Sequence, residues 1–236
     1  MAAAATTPRL SAAQVQQFHD QGFVIVRGAF SRARVARLRQ AVEGILARAT
    51  SGEATAISWI NEAKQLPDRM GDFMADPSHF SLEFTDWLAE DAIPHLQQLI
   101  ANGETSGVRH CRFQMLAGGD GQAYRQGWHR DQRFVDPEGH FGAVCDAAGA
   151  AFRGRCVEWN APLVEGDSFF NCVPGSHRRP NTDEETAALL QDRDAVDSAP
   201  MPGATVVRME PGDVCYFDAG MLHRGWNPEG RTRWTL

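Results

Sequence analysis

The sequence predicts a mainly β protein with flanking helices, and three features carry that expectation. From about residue 106 onward, short runs rich in β-branched and aromatic residues are cut by Gly, Pro, Asp and Asn, the texture of an antiparallel sandwich or barrel. Residues 1 to about 105 instead place apolar side chains at helical spacing behind good caps. The two textures follow one another rather than alternate, so a parallel sheet of βαβ units is not expected. With 236 residues and 43% hydrophobic content, the chain suits one domain, a helical layer followed by a β core.

Taken in order, Ser11 caps a helix that carries Val15 and Phe18 and stops at Gly22. "GFVIVRGAF" is a short β-rich run. Ser31 opens a second helix on which Val35, Leu38, Val42, Ile45 and Leu46 recur with helical period. Residues 51–80, with Trp59, Met70, Phe73 and Met74, read as irregular cover for a pocket. "SLEFTDWLAEDAIPHLQQLIA" is helical again and closes at Asn102-Gly103. The expected strands lie in "VRHCRFQML", "GWHRDQRFV", "CVEWNAPLV", "SFFNCVPG", "ATVVRMEPGDVCYFDAG" and "RTRWTL". A polar insert, 178–203, interrupts them as a surface excursion with a short helix and the reach of a lid.

Composition narrows the function. A net charge of −7 gives no basis for general affinity to nucleic acid or anionic membrane. No stretch approaches the roughly 18 apolar residues of a membrane span, and "MAAAATTPRL" does not read as a signal peptide. The five cysteines (Cys111, Cys145, Cys156, Cys172, Cys215) are odd in number and never form C-x-x-C, which fits a reducing, cytoplasmic setting. The expectation from composition is a soluble, cytoplasmic protein; its oligomeric state is not legible.

The chemistry concentrates in "WHRDQRF". On a strand, residues i and i+2 share a face, so His129 and Asp131 can aim an imidazole and a carboxylate at one point while Arg130 turns away. By itself H-x-D is a weak signal. In "GDVCYFDAGMLHRGWNPEGRTRW" a distant His223 opens another strand, and Arg233 follows a Gly/Asn/Pro turn. Two histidines and one carboxylate suit a facial triad with three open coordination positions, the ligand set of Fe(II) oxygen chemistry. A guanidinium pairs bidentately with a carboxylate, as the far end of a dicarboxylic co-substrate requires. His177 is the rival third ligand, but its Pro-Gly turn favours a loop-positioning role. Arg125, Arg130 and Arg133 read by default as a solvated rim, with recognition of an anionic substrate as the alternative. Cys172 and Cys215 read as inert core thiols.

These stretches, together with "FHDQGFVIVRGAF" and "VEWNAPLVEGDSFFNCVPGSHRRP", resemble the phytanoyl-CoA dioxygenase family of Fe(II)- and 2-oxoglutarate-dependent oxygenases over nearly the whole chain. The resemblance implies a double-stranded β-helix (jelly-roll) core behind an N-terminal helical layer. It implies His129, Asp131 and His223 as iron ligands and Arg233 as anchor for 2-oxoglutarate, with Arg231 as the competing anchor. It further implies Gln114 as a polar contact to the co-substrate and Trp159 as an aromatic of the same pocket. The expected reaction is oxidation, chiefly hydroxylation, of a C–H bond using Fe(II), 2-oxoglutarate and O2, releasing succinate and CO2. Desaturation, epoxidation and cyclisation use the same cofactor chemistry; a non-catalytic metal- or ligand-binding barrel is the alternative of another class. The chain departs from the family at Gly225, where a hydroxyl residue is common, and in stopping at Leu236, where relatives run on.

Overall fold

A computed structural model of the chain describes residues 9–53, 57–61, 66–71, 77–100, 113–118, 121, 123–131, 156–192, 201–227 and 229–236. Helix α1 (Ala12–Gln21) begins with a reciprocal capping box between Ser11 and Gln14 and ends at Gly22, which adopts φ 81°. Gly22 is needed twice over, because a Cβ there would lie 2.5 Å from His177 Nδ1. Strand β1 (Phe23–Val26) leads to helix α2 (Arg32–Thr50), whose Val35, Leu38, Val42 and Ile45 are buried as their spacing predicts.

The stretch expected to be irregular contains a hairpin. Strands β2 (Ile57–Asn61) and β3 (Leu66–Gly71) pair antiparallel, with register shifts around Trp59. Pro67 and the shifted register break the period-2 pattern that would have betrayed the strands. Met70 is buried; Phe73 and Met74 lie outside the described residues, as does the helix closure expected at Asn102-Gly103. The following helical stretch splits into α3 (Leu82–Trp87), a π turn (Leu88–Ala92) and α4 (Ile93–Leu99). Pro94 explains the widened turn, since it cannot donate back to the preceding turn.

The remaining strands are β4 (Gln114–Gly118), β5 (Tyr124–Arg125), β6 (Val157–Asn160), β7 (Asp167–Cys172), β8 (Thr205–Met209), β9 (Val214–Asp218), β10 (His223–Asn227) and β11 (Arg233–Thr235). Helix α5 (Asp183–Asp192) lies in the insert. One sheet runs β5-β10-β7-β8; two others run β1-β9-β6 and β11-β4-β3-β2. The latter two are stitched together beyond the end of β6: Ala161 and Leu236 exchange backbone hydrogen bonds of 3.0 Å, and Leu163 N donates to Trp234 O at 2.7 Å. Every pairing among the described residues is antiparallel. Strands from before residue 105 therefore join the same sheets as the later ones.

Alternation sorts the side chains into two layers. Val24, Tyr216, Val157 and Met115 face the helices and pack with Phe18, Leu38, Trp87 and Leu96. Phe170, Cys172 and Val207 meet Cys215 and Phe217 between the sheets. Helix α5 covers the outside of the smaller sheet, where Ala188 packs near Trp128, Val173 and Leu222. Among the described residues no helix is long and apolar enough to cross a membrane.

Candidate metal centre and co-substrate cavity

Among the described residues, His129 lies just beyond the β5–β10 ladder, where Gln126 N still donates to Gly225 O at 2.9 Å. It forms one isolated antiparallel bridge with His223, the first residue of β10, and the two exchange backbone N–H···O bonds of 2.9 Å each. Directly opposed residues of such a pair project to the same side, and the two imidazole centroids lie 4.4 Å apart. Asp131, two residues along, reaches the same point. Its oxygens stand 3.1 Å from His223 Nε2 and 3.5 Å from His129 Nε2.

Each imidazole is oriented from behind. His129 Nδ1 donates to Gly127 O at 2.8 Å and His223 Nδ1 to Met221 O at 2.9 Å, which turns both Nε2 atoms toward the carboxylate; the Gln126 amide Nε2 also stands 3.2 Å from His129 Nε2. One ligand atom from each of the three residues lies within 4.8 Å of the others. Ligand bonds of about 2.1 Å at right angles put neighbouring donors about 3 Å apart, so the donor set and its spacing fit a metal ion. Burial works to raise the Asp131 pKa, but the hydrogen bond to and charge of His223, with His129, hold its carboxyl well below the usual range. The same contact, against burial, raises the His223 pKa. A metal bound here would take the place of that proton.

The triad borders a cavity of about 460 Å³ whose other walls include Arg69, Gln114, Gln126, Glu158, Asn160, Phe170, Phe217 and Arg233. Phe217 and Phe170 stand 5.0 and 5.5 Å from the His223 ring and form its apolar side. Arg233 projects inward from β11 and is 2% exposed. Its Nη2 reaches Asn160 Oδ1 at 3.5 Å, and its Nε lies 4.0 Å from the buried Asp167 carboxylate. Arg231 points elsewhere: half exposed, it bonds Ser168 Oγ at 2.7 Å and pairs with Glu229 at 3.1 Å. Gln114 lines the cavity, with its Oε1 buried and no hydrogen-bond partner among the described residues. A buried guanidinium and an amide on one wall fit a carboxylate ligand.

Trp159 borders the cavity from the helical side, packed 6.1 Å from Trp87 and 6.0 Å from Phe113. Its neighbour Glu158 is the β6 residue on the triad side, hydrogen-bonded to Asp131; burial, then the Asp131 charge, push its pKa up to about 8. The sequence reading missed Glu158, Asn160, Gln126 and Arg69. The signal for the first two was the polar alternation in "VEWN", which reads as solvent-facing unless the interior is polar. His177 stands outside the triad: buried, it donates from Nε2 to His19 O at 3.1 Å, tying the Pro-Gly loop to α1. Burial raises the thiol pKa of Cys172 to about 12 and that of Cys215 well above its usual value, as inert core thiols require. Arg130 overturns its expected place on a solvated rim, being 5% exposed. Arg125 is exposed, and Arg133 lies outside the described residues.

Comparison with known proteins adds the lineage. The sequence model of the phytanoyl-CoA dioxygenase family matches residues 18–227. The chain belongs to this family. Membership bears out the enzyme class and cofactors expected of the sequence: an oxygenase dependent on Fe(II), 2-oxoglutarate and O2. No curated protein matches the sequence. Among solved structures, the chain is similar to EctD from S. alaskensis (TM-score 0.67, 19% identity, 96% of this chain and 75% of that one). It is similar to HygX from Streptomyces hygroscopicus, solved with nickel and 2-oxoglutarate bound (TM-score 0.64, 16% identity, 97% and 85%). EvdMO1 matches at TM-score 0.63 and 22% identity over 94% of this chain, which spans about half, 48%, of EvdMO1. These likenesses bear out the jelly-roll fold of this phytanoyl-CoA dioxygenase family member.

Proposed function

We propose that His129 Nε2, His223 Nε2 and an Asp131 oxygen hold Fe(II), that Arg233 anchors the distal carboxylate of 2-oxoglutarate, and that one catalytic domain, residues 1–236, hydroxylates a C–H bond of a small molecule in the cavity. The observation that carries this reading is the convergence of the three ligand atoms within 4.8 Å, with both Nδ1 atoms engaged by backbone carbonyls. When bound, the ferrous ion and its keto acid supply the oxygen-activating chemistry, yielding succinate and CO2 as co-products.

The protein's own contribution is placement. Asp131 would occupy the coordination position that a halide would need, which favours hydroxylation over halogenation. Gln114 offers its amide to the co-substrate, and Phe170 and Phe217 exclude water beside His223. Glu158, hydrogen-bonded to Asp131, braces that carboxylate from β6. Fold neighbours described as a carbocyclase, SnoK, and an epimerase, SnoN, keep other oxidative outcomes in view. The buried free thiols of Cys172 and Cys215 support a cytoplasmic setting.

The test is succinate release under air with Fe(II), 2-oxoglutarate and a panel of small molecules, with His129→Ala as the blank. Substrate-dependent succinate absent from the blank supports the reading. Metal binding without turnover across the panel favours a non-catalytic barrel. Activity that survives Arg233→Ala and needs no 2-oxoglutarate favours a cupin-like enzyme of another chemistry.

A further inference from the structure

The segment that carries two of the three ligands follows β10 from β5 through Gln126, whose N–H donates to Gly225 O at 2.9 Å, to the bridge at His129. Among the described residues the pairing to β10 ends at the His129 bridge, and Asp131 lies two residues beyond it. Arg130, between them, points to the opposite face and is nearly inaccessible to solvent. Its Nη1 donates to the carbonyls of Ser176, at 2.8 Å, and Gly220; its Nε and Nη2 donate to Asn181 Oδ1 at 3.2 and 2.6 Å.

Those acceptors belong to the segments that set the rest of the site. Gly220 ends the turn that delivers Met221, whose carbonyl orients His223. That turn is itself fixed by Asp218 Oδ1, which accepts from Gly220 N at 2.8 Å, and by Ser176 Oγ, which accepts from Leu222 N at 2.9 Å. Asn181 stands at the root of the insert, one residue before Thr182, whose N–H and hydroxyl are bonded to Glu185 at the start of α5. A guanidinium is suited to such a node, because its rigid fork donates in several directions without a change of charge.

We propose that Arg130 is a positioning residue for the metal centre: its guanidinium clamps the back of the His129–Asp131 strand to the turn that presents His223 and to the root of the insert. It holds the segment from its back face, beyond the His129 bridge, and fixes the spacing between the two halves of the ligand set. It touches neither metal nor co-substrate. The inference rests on the iron-site reading given above.

Co(II) binding tests it without co-substrate or turnover, read by the visible d–d bands and by calorimetry on the full chain. Arg130→Met is expected to weaken Co(II) binding about tenfold or more, the scale of lost outer-sphere support, and to alter the d–d envelope, while far-UV CD stays native. Arg130→Lys, which keeps donors to the two carbonyls but loses the fork on Asn181, is expected to recover part of that loss. Asn181→Ala is expected to lose severalfold. Native-like Co(II) affinity and spectrum in a folded Arg130→Met overturn the proposal alone. Wild-type protein that binds no Co(II) overturns this proposal and the iron-site reading together. If Arg130→Met does not fold, unchanged affinity in both Arg130→Lys and Asn181→Ala overturns it.

Discussion

Replacing Arg233 by alanine separates the two candidate anchors and can be sized from the structure. The side chain is 3% exposed and faces the equally buried Asp167 carboxylate at 4.0 Å. Truncating one partner of a buried, hydrogen-bonded charge pair costs about 2–5 kcal/mol. If the distal carboxylate of 2-oxoglutarate is that partner, its Kd rises by roughly 30-fold to a few thousandfold. Arg231, 48% exposed and already paired with Glu229, belongs to the class of surface ion pairs worth about 0–1 kcal/mol, so Arg231→Ala shifts the same Kd by about fivefold at most. Anaerobic titration of the Fe(II) protein with 2-oxoglutarate, followed by its visible charge-transfer band, measures both. A stability signature accompanies the affinity loss. Burial raises the Asp167 pKa and Arg233 opposes that rise, so the variant raises it further. An acid whose folded-state pKa lies above its unfolded value favours the folded state below that pKa and loses the contribution as pH climbs through it. The melting temperature of Arg233→Ala therefore falls further behind wild type at pH 8 than at pH 5.5. The reasoning fails if Arg231→Ala is the more damaging change, or if Arg233→Ala leaves the 2-oxoglutarate Kd within threefold.

Three further outcomes are expected. Gly22→Ala strains a left-handed residue and drives a methyl against His177, so it costs about 1–3 kcal/mol; a melting curve within a degree of wild type contradicts this. Metal binding must displace the proton that Asp131 favours on His223, so Co(II) affinity increases with pH through and somewhat above the ordinary histidine range, and a pH-independent Kd from 6 to 8 argues against the coupling. Trp159→Ala empties a contact with Trp87 and Phe113 and lowers stability by about 3–5 kcal/mol. Its 2-oxoglutarate Kd moves less than that of Arg233→Ala, and the opposite ranking would place Trp159 against the co-substrate.

Much of the fold was legible because its signals are local. The Ser11 and Ser31 caps, the Gly22 stop and the apolar period of α2 involve groups within four residues of one another, the range over which a helix closes its own hydrogen bonds. His129 and Asp131 were legible for the same reason, since a two-residue spacing alone sets a shared face. The β2–β3 hairpin was not, because Pro67 and a shifted register erase the alternation while cross-strand pairing to β4 maintains the strands.

What local spacing leaves open is which distant segments meet and which face becomes the inside. The bridge between His129 and His223, the inward turn of Arg233 rather than Arg231, and the polar wall made by Glu158 and Asn160 all follow from how separate strands register in closing two sheets around one cavity. Arg130 makes the same point in reverse: a charge beside the ligands reads as solvated until the Ser176, Asn181 and Gly220 segments fold over it and supply its acceptors. Sequence determined the kinds of side chain that can bind a metal; long-range packing decided where their lone pairs converge, because a strand's period fixes the side of a residue but not its partner.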